Sequence, residues 1–165
     1  MNPERERICR SFLYATTQSE YGALYQNHVL EQYKIYIGSI DYTSKLKHTT
    51  NNYFLGIHTL LLTAAGIALT KDGFFVGNAW HIVIPIVGAV LSGIWWHALR
   101  THKMVNAAKF EILHCIESSL PLALYKTEWE LLSAGKKNPH HGTKTEPFVP
   151  FLFIIIYLFI FFFVH

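Results

Sequence analysis

The chain has 165 residues, of which 51% are hydrophobic, 15% aromatic and only 15% charged, against about 25% charged in an ordinary soluble domain. This hydrophobicity excludes disorder, and a cysteine count of 2 (Cys9 and Cys115) excludes a disulfide-rich scaffold. The net charge of +3 comes without a basic stripe carrying aromatic stacking platforms, so no nucleic-acid partner is expected.

In chain order, residues 2–10 are highly charged and no adequate apolar core follows them, so no secretory signal peptide is expected. No proline lies between Pro3 and Pro85, which predicts a nearly continuous helix over 19–70. Its early part carries Leu30, Tyr33, Ile37 and Ile40 at helical spacing. Gly22, Gly38, Thr49, Thr50, Asn51 and Asn52 weaken it and allow a break near a membrane surface. Residues 53–70 form a first uncharged apolar block, 79–99 a second and 148–164 a third. Each has the length of a bilayer-spanning helix, roughly 17–25 residues.

Between the first two blocks, 71–78 contains Gly73 and Gly77 and predicts a tight antiparallel hairpin. Trp80 and His81 are expected at one membrane interface, and Trp95, Trp96, His97 and Arg100 at the other. A returning helix over 85–119 carries Val105, Ala108, Ile112, Cys115 and Ile116 on one stripe. Facing the earlier stripe, it predicts an antiparallel helical stalk outside the bilayer. After Leu120 and Pro121 the chain reads as irregular, and 133–146 as a polar linker. The third block begins with Pro147 and Pro150, which suit a first helical turn because its N–H groups lack partners anyway.

The expected fold is therefore all-α and integral to a membrane, with three transmembrane helices and the first two extended into the stalk. Its regions are 1–52, 53–99, 100–147 and 148–165. Of the 14 Lys and Arg residues, Lys71 alone falls in the loop between spans one and two. The positive-inside rule then places 1–52 and 100–147 in the cytoplasm and the C-terminus outside.

The 10 histidines have no paired spacing of a closed zinc site, so hydrogen-bonded or interfacial histidines are favoured and no metal or cofactor is expected. His58 lies inside the first span, with Asn51 and Asn52 one to two turns inward. A polar side chain there faces a helix partner or a lumen, and a neutral imidazole bridging helices is the favoured reading. Ala64 and Ala68, Gly88 and Ser92, and Ala89 and Gly93 are spaced four apart, as close helix packing requires. Glu111 and Glu117 fall on opposite helix faces, His114 and Cys115 diverge, and no nucleophile or phosphate-loop motif occurs, so no enzyme is predicted. Lys109 and Glu117 read as a solvated or inter-subunit charge network.

Separated blocks of sequence resemble the RipA-type family of small octameric bacterial membrane proteins. They are Glu31-Gln32-Tyr33-Lys34-Ile35-Tyr36, Asn52-Tyr53-Phe54, Asn106-Ala107-Ala108-Lys109-Phe110, Ile116-Glu117, Leu120-Pro121, and Tyr125 with Glu128-Trp129. The likeness covers roughly 25–132, with a third span in the expected place. Leu124 stands where proline is expected, and His58 where a small polar residue such as Asn is usual. The resemblance implies a homo-octamer in the bacterial inner membrane, for the namesake a contribution to growth inside host cells, and no established enzymatic activity.

Tyr33, Tyr36, Phe110, Glu117, Pro121, Tyr125 and Trp129 are the candidate oligomer or docking residues. Pro121 ends the returning helix, and Tyr125 and Trp129 share a face that folds against the stalk or a neighbouring subunit, or lies on the membrane surface. The leading functional expectation is a non-enzymatic homo-oligomer with a cytoplasmic helical ring, partnered by its own copies and by membrane lipids. The alternatives are an oligomeric channel, and a membrane effector in stress, host adaptation or phage defence.

Overall fold

The structure, a computed structural model, describes residues 3–68, 80–134 and 148–163. Among them six helices follow in order, with no strand: α1 (Pro3–Phe12), α2 (Gln18–Tyr21), α3 (Tyr25–Ala68), α4 (Trp80–Glu117), α5 (Leu124–Ser133) and α6 (Phe148–Phe163). The 71–78 hairpin loop, most of the 133–146 linker and the side chains of Ala68, Trp80 and His81 lie outside the described residues.

The long helix α3 begins later than the composition suggested. Gly22 adopts φ 89°, a backbone that glycine enters without a Cβ penalty, and it separates α2 from α3. From Tyr25 the helix then runs through Gly38 and the Thr49-to-Asn52 segment without the allowed break. Its threonines help explain this: Thr43, Thr49, Thr59 and Thr63 each donate to the carbonyl four residues earlier, so their hydroxyls do not compete with the ladder. Pro85 lies inside α4, whose helix starts at Trp80. Five residues past the start, the proline gives up one ladder N–H and sets its ring against the carbonyl four residues earlier. A further difference is α5, which replaces the irregular chain expected after Pro121.

The described residues divide into two compact units, to both of which α3 and α4 contribute. One holds residues from 1–44 and 104–141, the other residues from 45–103 and 142–165. In the first, α3 and the end of α4 run antiparallel, as Tyr33 meets Glu117 while Thr43 meets Lys109. Ile40, Thr43, Leu113, Cys115 and Glu117 are its buried residues. Cys9 of α1 and Cys115 of α4 are joined as a disulfide, with Cα atoms 6.5 Å apart and 106 residues of separation. Two cysteines were too few for a scaffold, but they suffice to fasten one helix.

In the second unit Ile84, Gly88, Ser92, Trp95 and Leu99 are buried along one face of α4. This is an i, i+4, i+8, i+11, i+15 stripe, the pattern of a helix with one packed side. Pro150, Phe153 and Tyr157 form the matching stripe of α6, with Pro150 and Tyr157 buried. Outward, Leu60, Val90, Ile94, Phe151, Phe159 and Phe162 are exposed, an apolar exterior suited to lipid or other subunits. Among the described residues one helix, over Ile82–Glu117, is long and apolar enough to cross a membrane, and Phe148–Phe162 is a shorter apolar helix. The second half of α3 is diluted by Asn51, Asn52, His58, Thr59 and Thr63.

If the Cys9 to Cys115 bond fastens α1, reduction should expose the helix backbone around Arg5, Arg7 and Arg10. Limited trypsin digestion is expected to cut these sites at least about tenfold faster after reduction, or in Cys115→Ser, than in the oxidised protein. Equal rates would show that α1 is held by its packing alone.

Candidate functional site

The second unit encloses a polar cluster built on three helices. His58 of α3 is 0% exposed, as are Ser92 of α4 and Tyr157 of α6. His58 Nδ1 and the Tyr157 hydroxyl are 3.0 Å apart, and Ser92 Oγ lies 3.5 Å from His58 Nε2. Ser92 also donates to the Gly88 carbonyl at 2.9 Å. Both imidazole nitrogens thus face a hydroxyl, the arrangement a neutral ring needs when water is absent.

Aromatic rings close the cluster. The His58 ring stacks on Phe153 at 4.7 Å and on Trp95 at 5.5 Å, and Trp95 stacks in turn on Phe54 at 5.8 Å. Trp95 Nε1 donates to Asn51 Oδ1 at 2.9 Å, which fixes the half-buried Asn51 between α3 and α4. Asn52 is exposed and stands outside this network. Gly88 is the position where Tyr157 enters, because a Cβ there would collide with the tyrosine ring. A Cβ at Gly93 would meet nothing within 4 Å, and Ala64 is half-buried. Of the small-residue positions, Gly88 and Ser92 therefore serve a close approach within the chain.

A second cluster lies in the first unit, around Glu117, which is 1% exposed. Its Oε1 accepts the Tyr33 hydroxyl at 3.3 Å and the Tyr125 N–H at 2.9 Å, while Oε2 accepts the Lys126 N–H at 2.9 Å. These amides belong to the first turn of α5, whose leading N–H groups have no partner within the helix. A negative charge also suits that end of a helix dipole. Glu117 thus caps α5 from the end of α4, and its carboxylate is used inside the chain. Burial, and then the Glu117 charge, push the Tyr33 phenol up to about 12.

Lys109 does not join Glu117 in the expected charge network. Its Nζ donates to the Ser39 carbonyl at 2.8 Å and to Thr43 Oγ1 at 2.6 Å. Tyr36 donates to the Lys109 carbonyl at 3.4 Å, and burial pushes its phenol up as well. Phe110 and Tyr125 bring ring centroids within 6.5 Å, Trp129 is half-buried, and Pro121 is exposed just before α5. Of the docking candidates, Tyr33, Glu117 and Tyr125 meet at one point. Tyr157 was missed by sequence reasoning, although it is the only hydrogen-bonding side chain in α6.

Two substitutions test these assignments. Glu117→Ala removes three charge-assisted acceptor contacts, and is expected to lower the protection of the Tyr125 and Lys126 amides in hydrogen exchange by about 1.5–3 kcal/mol. Gly88→Ala forces Tyr157 aside and is expected to cost about 1–3 kcal/mol in thermal unfolding. Gly93→Ala serves as the control and should be neutral or slightly stabilising.

Comparison with known proteins bears on this architecture. The family model described as the octameric membrane protein family matches residues 30–165. No curated protein and no solved structure matches the chain. The matched stretch contains both polar clusters and all of α3, α4, α5 and α6 except the opening residues of α3. The chain belongs to the octameric membrane protein family.

Proposed function

We propose that this chain is a non-enzymatic scaffold of the bacterial inner membrane, assembled as a ring of copies with helical hairpins projecting into the cytoplasm. In this reading three spans, drawn from α3, α4 and α6, hold each copy in the bilayer. Residues 1–52 and 100–147 lie in the cytoplasm, as the distribution of Lys and Arg supports.

The observation that carries the proposal is the internal satisfaction of the buried His58 and Glu117 side chains; among the described residues Asn106 Oδ1 is the one buried side-chain oxygen left without a partner. His58 faces Tyr157 and Ser92 inside one chain, and Glu117 is spent on α5. A catalytic centre or an ion path needs polar groups held open to a substrate or to water. Here His58 and Glu117 are closed off by neighbouring groups of the same chain, which supports a structural role. In the second unit the exposed faces of α4 and α6 are largely apolar, as lipid and like copies require.

A reducing cytoplasm would hold Cys9 and Cys115 as thiols. The approach of α1 to α4 would then rest on packing, with the hydrogen bond between Tyr14 and Ser119 joining the segments that follow the two helices.

The test combines assembly, conduction and orientation. Native mass spectrometry from lipid nanodiscs is expected to give the eightfold mass that the octameric family implies. Liposomes carrying the protein should show ion flux at the level of empty liposomes across acidic and alkaline pH. A fluorescent protein that matures only in the cytoplasm should be bright when fused at the N-terminus. Selective flux, or an N-terminal fusion that stays dark, would overturn the corresponding part of the proposal.

A further inference from the structure

In the first unit a cavity of about 210 Å³ opens beside the start of α3. Tyr14, Tyr21, Tyr25, His28 and Tyr33 line it, over apolar side chains that include Val29 and Ile116. Most of these aromatic walls precede residue 30, where the family match begins.

The rings stand as walls. Tyr21 meets Tyr25 with centroids 5.9 Å apart and planes inclined at 74°, and meets His28 at 5.6 Å and 84°. Three of the four tyrosine hydroxyls are already engaged. Tyr14 pairs with Ser119, Tyr21 with His28 Nδ1 at 2.8 Å, and Tyr33 donates to Glu117. These bonds hold the rings in place, so that aromatic faces, together with Thr16 and Gln32, line the cavity. No Lys or Arg lines the cavity, and the buried carboxylate of Glu117 lies directly behind Tyr33.

We propose that this cavity is an aromatic cage for a small permethylated ammonium cation, of the trimethylammonium class found in choline. The negative faces of aromatic rings attract such a cation. A trimethylated head has no N–H to satisfy, so it is held by the ring faces alone. The volume suits a head group of that size, as pockets for drug-sized ligands run to ~300–1,000 Å³. A free cation and a phosphatidylcholine head group present the same recognised chemistry.

The experiment is calorimetric titration of the full-length protein in detergent with choline, and with its neutral isostere in which a tert-butyl group replaces trimethylammonium. Choline is expected to bind at least about tenfold more tightly than the isostere. Tyr25→Ala should weaken choline binding by about tenfold, whereas Tyr25→Phe, which keeps the ring, should stay within about threefold. Circular dichroism and particle mass check that the variants remain assembled. The comparison of choline with its isostere in the unmodified protein stands even if Tyr25→Ala does not fold. Equal affinity for the two ligands, no saturable heat with choline, or full binding by a folded Tyr25→Ala would overturn the cage. Competition by short-chain phosphatidylcholine but not phosphatidylglycerol would support the cage with a lipid head group as its source. Binding of choline without that competition would support it with a free cation.

Discussion

A helix as uniformly apolar as α6 has little in its own sequence to orient it against a neighbour. Dispersion and apolar burial are almost indifferent to rotation about the helix axis when every side is greasy. Tyr157 removes that freedom, because its hydroxyl must find a partner once buried and His58 is the one it meets. The ring reaches His58 only over the bare surface of Gly88, so one glycine, one imidazole and one phenol set how three helices pack. The stacking of His58 on Phe153 and Trp95 then surrounds the polar centre with rings. Much of the packing in the second unit depends on this one directional contact.

The first unit follows the same rule with charged groups. An ionised carboxylate is costly to bury unless its oxygens are filled, and Glu117 is filled by two backbone amides and a phenol. Lys109 is likewise satisfied by oxygens of Ser39 and Thr43 on α3. Two side chains that look from the sequence like surface charges thus act as fasteners between helices.

Much of the helical plan was legible because the apolar blocks are long and proline is scarce. The boundaries were less so. Gly22 displaced the start of α3 because the left-handed conformation it adopts is invisible to periodicity. Pro85 did not open α4, which starts five residues earlier at Trp80 and runs through the proline. The α5 helix went unread because its cap comes from Glu117, eight residues before Tyr125 and on another helix. His58 was singled out by its place in an apolar block, but its partners lie 34 and 99 residues away, a distance no local pattern encodes. Tyr157 carried a readable signal, a lone hydroxyl in a run of Phe, Ile and Leu. The pairing of Cys9 with Cys115 had none beyond the count.

The His58 contact also imposes an order on biogenesis. Tyr157 is made 99 residues after its partner. At roughly 5–20 residues per second of synthesis, the ribosome needs about 5–20 s to cover that interval. Throughout it the nascent chain holds an imidazole whose principal partner does not yet exist. Ser92 arrives sooner, and its oxygen can serve Nε2 while it donates to the Gly88 carbonyl, but Nδ1 stays open. The unfinished hairpin must therefore keep His58 wetted, or guarded by another molecule, until the last helix arrives to seal it.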